Sequence, residues 1–183
     1  MRILKTEPNT IETIAKCLQS ESIVIIPTDT IYGFSGIIGK TAEKIAAIKG
    51  RGGHKPFVAL IAKPDDIAAY SAIRLPEALR RLWPCPLTLI VPLKTGGTQA
   101  FRCPADAWLQ EVIIRTGMPI YSTSVNYAGQ PPLSDGDSIA AAFEDTVAAI
   151  VDAGPLHGQA STIVDLCGTV PRIIRQGSVK VHV

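Results

Sequence analysis

Long apolar runs and a strong excess of either charge are both missing from this 183-residue sequence. The longest apolar run lies within Ser22–Pro27 and has the length of a strand, whereas a membrane-spanning helix needs roughly 20 apolar residues. The N-terminal residues contain no apolar core of signal-peptide length. A net charge of +2 argues against a protein that coats DNA, although it permits a local basic cavity. We therefore expect a cytoplasmic protein that does not act at a membrane.

Paired metal-ligand motifs are missing as well. The cysteines and histidines are Cys17, Cys85, Cys103, Cys167, His54, His157 and His182. No two cysteines form a CxxC pair, and the histidines lie too far apart for an HExxH motif. A disulfide framework is also unusual in a chain of this length. The pattern predicts free thiols and no metal site formed by a direct cluster of protein ligands.

Helix and strand patterns alternate along the whole chain, which contains no linker and no repeat. The apolar spacing predicts helices over 9–19, 41–49, 64–70, 75–83, 105–116 and 138–143. Strands are expected at 22–27, 31–38, 56–62, 86–93, 100–104, 119–124, 147–151, 161–166 and 172–175. Several successive strands have no helix between them, so a purely parallel sheet is not expected. We predict a single α/β domain over residues 1–183, with an open, twisted, mixed sheet and flanking helices.

The common nucleotide and nucleophile motifs are absent. The chain contains neither GxxxxGK[ST] nor GxGxxG, and no GxSxG elbow. Two polar loops remain as candidates: PTDT at 27–30, and KGRGGHK at 49–55, which combines three cations with three glycines. Glycines let backbone amides approach an anion, and lysine and arginine contribute charge to phosphate oxygens. Taken alone, PTDT is more typical of an ordinary turn, whereas the basic loop is as compatible with a solvated surface as with an anion site.

A third loop and two arginines add to this inventory. Residues 122–126, STSVN, present three hydroxyls and one carboxamide, which suit phosphate or magnesium but also cap helices. Arg102 and Arg175 lie inside apolar strand patterns, where an arginine needs a carboxylate, a phosphate or water. Acidic residues are few in these loops. The inventory favours anion binding and electrostatic stabilisation over acid–base or covalent catalysis.

The loops taken together resemble the YrdC/TsaC family of threonylcarbamoyl-AMP synthases. The resemblance rests on PTDTIYGFSG, IKGRGGHKPF, WPCPLTLIV, FRCP, STSVN, STIVDL and IIRQG, which follow in the family's order over residues 23–177. It implies the family's open α/β sheet with a concave, positively charged cavity. It also implies synthesis of L-threonylcarbamoyladenylate and pyrophosphate from L-threonine, bicarbonate or CO2, and ATP with magnesium. Partner proteins would then transfer the threonylcarbamoyl group to tRNA beside the anticodon, and direct binding of tRNA stays open.

The resemblance also implies site residues. The catalytic group would be Lys49, Arg51, Ser124 and Asn126, the family's KxR and SxN elements. The ATP contacts would be these four residues with Lys55, Thr98 and Arg175. Threonine would be held by Thr30, Arg102, Ser122 and Ser161. Arg102 suits the amino-acid carboxylate because a guanidinium can bind a carboxylate through two parallel hydrogen bonds.

The chain departs from the family pattern at four places that concern nucleotide contact. The family's usual proline, glycine and alanine are replaced here by Gly52, Cys85 and Val125, and Pro131 or Pro132 stands where the family often has serine. Two alternative functions also stay open. A domain of the same fold that makes carbamoyl-adenylate is one alternative. A non-catalytic RNA-binding module is another, although a net charge of +2 gives it little support.

Overall fold

The computed structural model describes residues 1–50 and 56–181 of the chain. In these residues ten strands form one sheet: β1 Arg2–Leu4, β2 Val24–Pro27, β3 Tyr32–Ile37, β4 Val58–Leu60, β5 Leu87–Pro92, β6 Thr98–Arg102, β7 Ile120–Ser124, β8 Ala149–Asp152, β9 Thr162–Asp165 and β10 Arg172–Arg175. The helices are α1 Thr10–Gln19, α2 Ala42–Ile48, α3 Glu77–Arg80, α4 Ala107–Thr116 and α5 Gly136–Phe143, with a 3-10 helix over Pro64–Ala69.

The sheet is open and mixed, which confirms the predicted fold class. Its strand order is β1-β8-β2-β3-β7-β4-β6-β5-β9-β10, so β1 and β10 form the two edges. The pairs β1–β8, β2–β8, β4–β6 and β5–β9 are parallel, and the other neighbours are antiparallel. The central strands therefore come from distant parts of the chain.

Helices α1 and α4 cover part of one face of the sheet. Ile14 and Leu18 of α1 and Val112 of α4 pack with strand residues into one buried cluster. Helix α4 begins at Asp106, whose side chain accepts a hydrogen bond from the Leu109 amide, a standard N-terminal cap. It ends at Gly117, whose φ of 82° is a backbone conformation that glycine adopts without strain.

The opposite face carries α2, α5 and the other two hydrophobic clusters. Phe34 of β3 packs edge-on against Phe143 of α5, with ring centroids 4.9 Å apart. Leu89 and Phe101 lie on the same side further along the sheet, in the cluster that includes α3. Hydrophobic clusters therefore cover this face along the sheet.

Three local predictions differ from the structure. Strand β1 was not predicted, because three residues are too few to show an alternating pattern. The helix expected over 75–83 is only Glu77–Arg80, since Pro76 disfavours helical geometry in the residue before it. Residues Pro64–Ala69 form a 3-10 helix, and Asp66 accepts a hydrogen bond from the Lys63 amide at its start. None of these differences changes the sheet.

Candidate active site

Small and polar side chains occupy the middle of the first sheet face. Ser122 of β7 lies opposite Ser35 of β3 on one side and Val58 of β4 on the other. Directly opposed residues point to the same face of a sheet, as do residues two apart on one strand. Gly33 lies opposite Ser124, and a Cβ at this position would come within 2.5 Å of Ser122 Oγ. Small side chains therefore occupy this part of the sheet face, and Ser35 and Ser122 are buried. We call the region between the Arg102 and Ser124 side chains the cleft, after the cavity that the family resemblance implies.

One end of the cleft contains the predicted KxR and SxN elements. Lys49 follows α2 and is buried, and its Nζ lies 5.4 Å from the ring centroid of Phe34. The Lys49 ammonium donates to the Ser124 carbonyl at 2.5 Å, and to the Asn126 carbonyl and Oδ1 at 2.9 Å. Lys49, Ser124 and Asn126 are thus brought together across 77 residues of sequence. Arg51 and Lys55, predicted in the same group, lie outside the described residues.

The loop after β7 is closed by Asn126. Its Oδ1 accepts from Ser124 Oγ at 2.6 Å as well as from Lys49, and its Nδ2 donates to the carbonyls of Tyr127 and Gln130. Because both ends of the carboxamide are bonded, the loop has a defined shape before any ligand binds. Val125, a departure from the family pattern, points into the hydrophobic cluster under this loop and is fully buried. This departure does not place a side chain in the cleft.

The other end of the cleft is formed around Arg102, whose side chain is 8% exposed. Its NH1 donates to Thr30 Oγ1 at 3.2 Å, and its NH2 lies 3.3 Å from Asp29 Oδ1. Thr30 Oγ1 is also 2.9 Å from Thr28 Oγ1. The backbone at Gly158 passes so close to the Thr30 carbonyl that no side chain could fit there. The arginine is therefore held against the PTDT loop.

Burial shifts the pKa values of two groups at this end of the cleft, Arg102 and Cys85. Burial lowers the pKa of the Arg102 guanidinium, the Asp29 charge opposes that change, and the positive charge of Arg175 adds to it. Burial likewise raises the pKa of the Cys85 thiol to about 11, and the charge of Asp29 adds to the increase. Cys85, another departure from the family pattern, is therefore a neutral thiol near the Arg102–Asp29 pair at neutral pH.

Two further predicted residues, Ser161 and Arg175, extend this group. Arg102 lies opposite Thr88 on β5, and Thr88 Oγ1 is 2.8 Å from Ser161 Oγ. Arg175 donates from NH2 to Ser161 Oγ at 3.3 Å and from Nε to the Ser161 carbonyl at 3.0 Å. The Thr88 and Ser161 hydroxyls thus form a short chain that begins at the strand residue opposite Arg102 and ends at the Arg175 guanidinium. The resemblance assigned Arg175 to the nucleotide. In this structure it contacts Ser161, which the resemblance assigned to the binding of threonine.

The remaining predicted residues lie between or beyond the two groups. Ser122 is buried and lies about 7 Å along β7 from Ser124 on the same face. Thr98 begins β6, faces the same way as Arg102, and is exposed. The backbones of Arg102 and Ser124 are separated by about 10 Å across the strands and about 13 Å along them. Both groups therefore border one cleft at a distance that an extended ligand can span.

Two residues of the site were missed by the predictions. Asp29 was noted only as one of the few acidic loop residues, yet it is the carboxylate beside Arg102. A buried arginine requires such a partner, so Asp29, next to Thr30, could have been inferred from Arg102. Thr88 is a single hydroxyl within an apolar strand, which is a weaker signal.

Within residues 1–50 and 56–181, no three His, Cys, Asp or Glu side chains are grouped so that they could hold a metal ion. No helix in the same residues combines the length and the hydropathy that a membrane span needs.

Known proteins resemble this chain over most of its length. The family model Sua5_yciO_yrdC, described as telomere recombination, matches residues 16–177. Threonylcarbamoyl-AMP synthase of Bacillus subtilis (strain 168) is 30% identical over 96% of this chain and 56% of that protein. A Mycobacterium tuberculosis (strain H37Rv) relative, given the same name provisionally, is 33% identical over 88% of this chain and 81% of its own length. This chain spans little more than half of the Bacillus protein.

A solved structure extends the similarity to three dimensions. The crystal structure of Pyrococcus abyssi Sua5 complexed with L-threonine has a TM-score of 0.84 to this chain. The two are 27% identical over 97% of this chain and 56% of the other.

Proposed function

This chain belongs to the Sua5/YciO/YrdC family, as the sequence resemblance predicted, and we propose that it is a threonylcarbamoyl-AMP synthase. The observation that carries the proposal is a pair of polar groups along the sheet. Arg102 lies on the first face with Asp29 and Thr30, and Ser124 and Asn126 lie at the end of β7, where Lys49 holds them from the side of α2 and Phe34. The names of the Bacillus subtilis and Mycobacterium tuberculosis relatives support it, as does the L-threonine bound to Pyrococcus abyssi Sua5.

The proposed reaction joins threonine, a one-carbon unit and AMP. The threonine amine would add to CO2, forming a C–N bond and losing a proton to give a carbamate; bicarbonate as the source would also release water. A carbamate oxygen would then attack the α-phosphorus of ATP. The bond from that phosphorus to the bridging oxygen of the β-phosphate breaks, and pyrophosphate leaves. Catalysis of this kind depends mainly on positioning and on stabilising negative charge.

The residues of the cleft would divide this work. Arg102, with Thr30 and Ser161 around it, would bind the threonine carboxylate, and Ser122 lies where the carbamate would reach toward the phosphates. Lys49 would fix the loop that presents Ser124 and Asn126, and its charge would favour the phosphates. We carry Arg51, Lys55 and Thr98 forward as proposed nucleotide contacts, and Arg175 as a residue between the two ligands.

Magnesium fits this site as a companion of ATP. The neutral oxygens nearest this position are the Ser124 hydroxyl and Asn126 Oδ1. Because Asn126 Oδ1 already accepts hydrogen bonds from Lys49 and Ser124, the ion would bind mainly through the phosphates of ATP. Mg²⁺ usually keeps several waters and binds through substrate phosphates, so a dedicated protein cage is not required. When bound, the ion would neutralise charge on the departing pyrophosphate.

Transfer proteins of a tRNA modification pathway are the proposed partners. An acyl-adenylate hydrolyses readily, so a protein that accepts the threonylcarbamoyl group should act soon after its synthesis. The acceptor would be tRNA, and we propose the cytoplasm as the location because ATP, threonine and tRNA occur together there.

Pyrophosphate release tests the function. Purified protein is given ATP and magnesium with L-threonine and bicarbonate, with either of the two left out, with L-serine in place of threonine, or with carbamoyl phosphate as a carbamoyl donor. The adenylate is identified by mass spectrometry. The proposal predicts release that requires both threonine and bicarbonate, with threonylcarbamoyl-AMP as the product. Carbamoyl-adenylate as the product would support the sister activity. Salt-sensitive RNA binding without any adenylate would support the binding module.

A further inference from the structure

The cleft has to distinguish two anions of very different charge. On the proposed function, on which this inference rests, one end receives a carboxylate and the other a triphosphate. Both ends contain cations, so each could attract the wrong group. At the first of these ends a carboxylate, Asp29, lies beside Arg102.

Asp29 and Arg102 form a buried ion pair. Their side chains are 5% and 8% exposed, so solvent ions screen their charges little. Arg175 reaches the same cluster through Ser161, and among residues 1–50 and 56–181 no Asp or Glu oxygen lies within 4.0 Å of its guanidinium nitrogens. Two guanidiniums and one carboxylate therefore leave this end with a net charge of about +1, which matches a single carboxylate.

The geometry keeps Arg102 available despite its partner. Asp29 Oδ2 accepts a hydrogen bond from the Ala105 amide at 3.0 Å, which anchors the carboxylate to the backbone. Asp29 Oδ1 is 3.3 Å from Arg102 NH2 but forms no hydrogen bond, and Arg102 Nε is buried without a partner. A two-bond pairing would occupy the guanidinium, whereas this arrangement offsets its charge and leaves donor capacity.

We propose that Asp29 is a specificity-determining residue that reserves the Arg102 end of the cleft for a carboxylate and excludes phosphate groups from it. Without the Asp29 charge, Arg102 and Arg175 together would present about +2, of which the Arg102 charge is buried and poorly screened and the Arg175 charge is exposed. Such a site would favour pyrophosphate and the ATP phosphates over a carboxylate, because repulsion of the wrong ligand is as important to specificity as attraction of the right one.

Calorimetric titration with inorganic pyrophosphate, with and without saturating L-threonine, tests this role. The D29N variant keeps the side-chain shape and an oxygen that can accept from Ala105. We expect D29N to bind pyrophosphate about tenfold more tightly than the wild type, and threonine to displace it. In the wild type, threonine should leave pyrophosphate binding unchanged. The D29N/R175Q double variant, which restores the net charge, should lose the added affinity.

The D137N variant is the matched control. Asp137 also pairs with an arginine, Arg2, at 2.7 Å, but its side chain is 89% exposed and lies elsewhere on the protein. D137N should behave as the wild type in both titrations. Wild-type protein that binds threonine, together with D29N that binds pyrophosphate no more tightly than D137N, would overturn the inference. Wild-type protein without threonine binding would overturn the proposed function, and the inference with it.

A second variant covers the case in which D29N does not fold, as judged by thermal melting. D29E keeps the charge but changes the geometry, so it should exclude pyrophosphate from the threonine end as the wild type does. Displacement of pyrophosphate by threonine in D29E would mean that shape, and not charge, sets the preference, which would contradict the proposal.

Discussion

The two ends of the cleft are built differently. At the Arg102 end, the charges lie on strands β6 and β10 and are oriented by Asp29, Thr30 and Ser161. At the Lys49 end, a helix terminus meets a loop, and the ammonium is surrounded by carbonyl and carboxamide oxygens. On the proposed function, the first end would select a carboxylate through a buried charge pair, and the second would bind a triphosphate at a loop whose shape is set in advance.

The largest expected effect is on turnover and comes from altering the Lys49 end of the cleft, which we call the loop end. K49A removes the ammonium that holds Ser124 and Asn126 together, so turnover should fall about 100-fold or more. Initial rates of pyrophosphate release at saturating threonine measure this effect. K44A is the control, since Lys44 lies on the same helix and donates to the Glu21 carbonyl at the surface. Equal rates in K49A and K44A would contradict a catalytic contribution of Lys49.

A smaller effect, on the KM for threonine, is expected from altering the Arg102 end of the cleft, which we call the strand end. R102K keeps the charge but loses the planar fork, so the KM for threonine should rise about tenfold while the KM for ATP changes little. R172K serves as the control, because Arg172 is an exposed arginine of β10 that pairs with Asp165 at 3.5 Å. A rise in the KM for ATP equal to that for threonine would show that the two ends are not separate.

A still smaller effect tests the hydroxyl chain at the strand end. S161A removes the contact with Thr88 and one contact with Arg175, and a net hydrogen bond of this kind corresponds to roughly fivefold in the KM for threonine. S20A, an exposed serine that donates to the Lys16 carbonyl, should leave the KM unchanged. An unaltered KM in S161A would remove Ser161 from the threonine site.

The smallest effect concerns the thiol beside the strand end. A pKa of about 11 leaves Cys85 protonated at pH 7.5, so iodoacetamide should modify it slowly. Because the thiolate is the reactive form, the rate should increase about tenfold for each pH unit below that pKa. Peptide mass spectrometry over pH 7–10 follows the modification. Modification at pH 7.5 as fast as that of a free thiol would mean that this end is open to solvent.

The sequence predicted the class of fold and most elements, because the apolar patterns of α1, α4 and the central strands are long enough to show their period. The order of strands could not be obtained in this way, since β4 pairs with β7 and β6, which are distant in sequence. The short elements β1 and α3 were missed or overextended because local patterns over three or four residues carry little information.

The site residues also differ in how they could be predicted, either from local chemistry or only from the family resemblance. Lys49, Ser124 and Asn126 were grouped through the family resemblance, since no local feature joins residues 77 positions apart. Arg102 was recognised from local chemistry, because an arginine in an apolar strand needs a partner. Its partner Asp29 lies 73 positions earlier, and only the packing of the PTDT loop against β6 brings the two together.

Threonine binding without ATP tests the division of the cleft most directly. Calorimetric titration of L-threonine into the wild type, K49A and R102K separates the two ends, because no turnover is needed. The account predicts wild-type affinity in K49A and about tenfold weaker binding in R102K. Weaker binding in K49A with unchanged binding in R102K would place threonine at the other end and contradict the account.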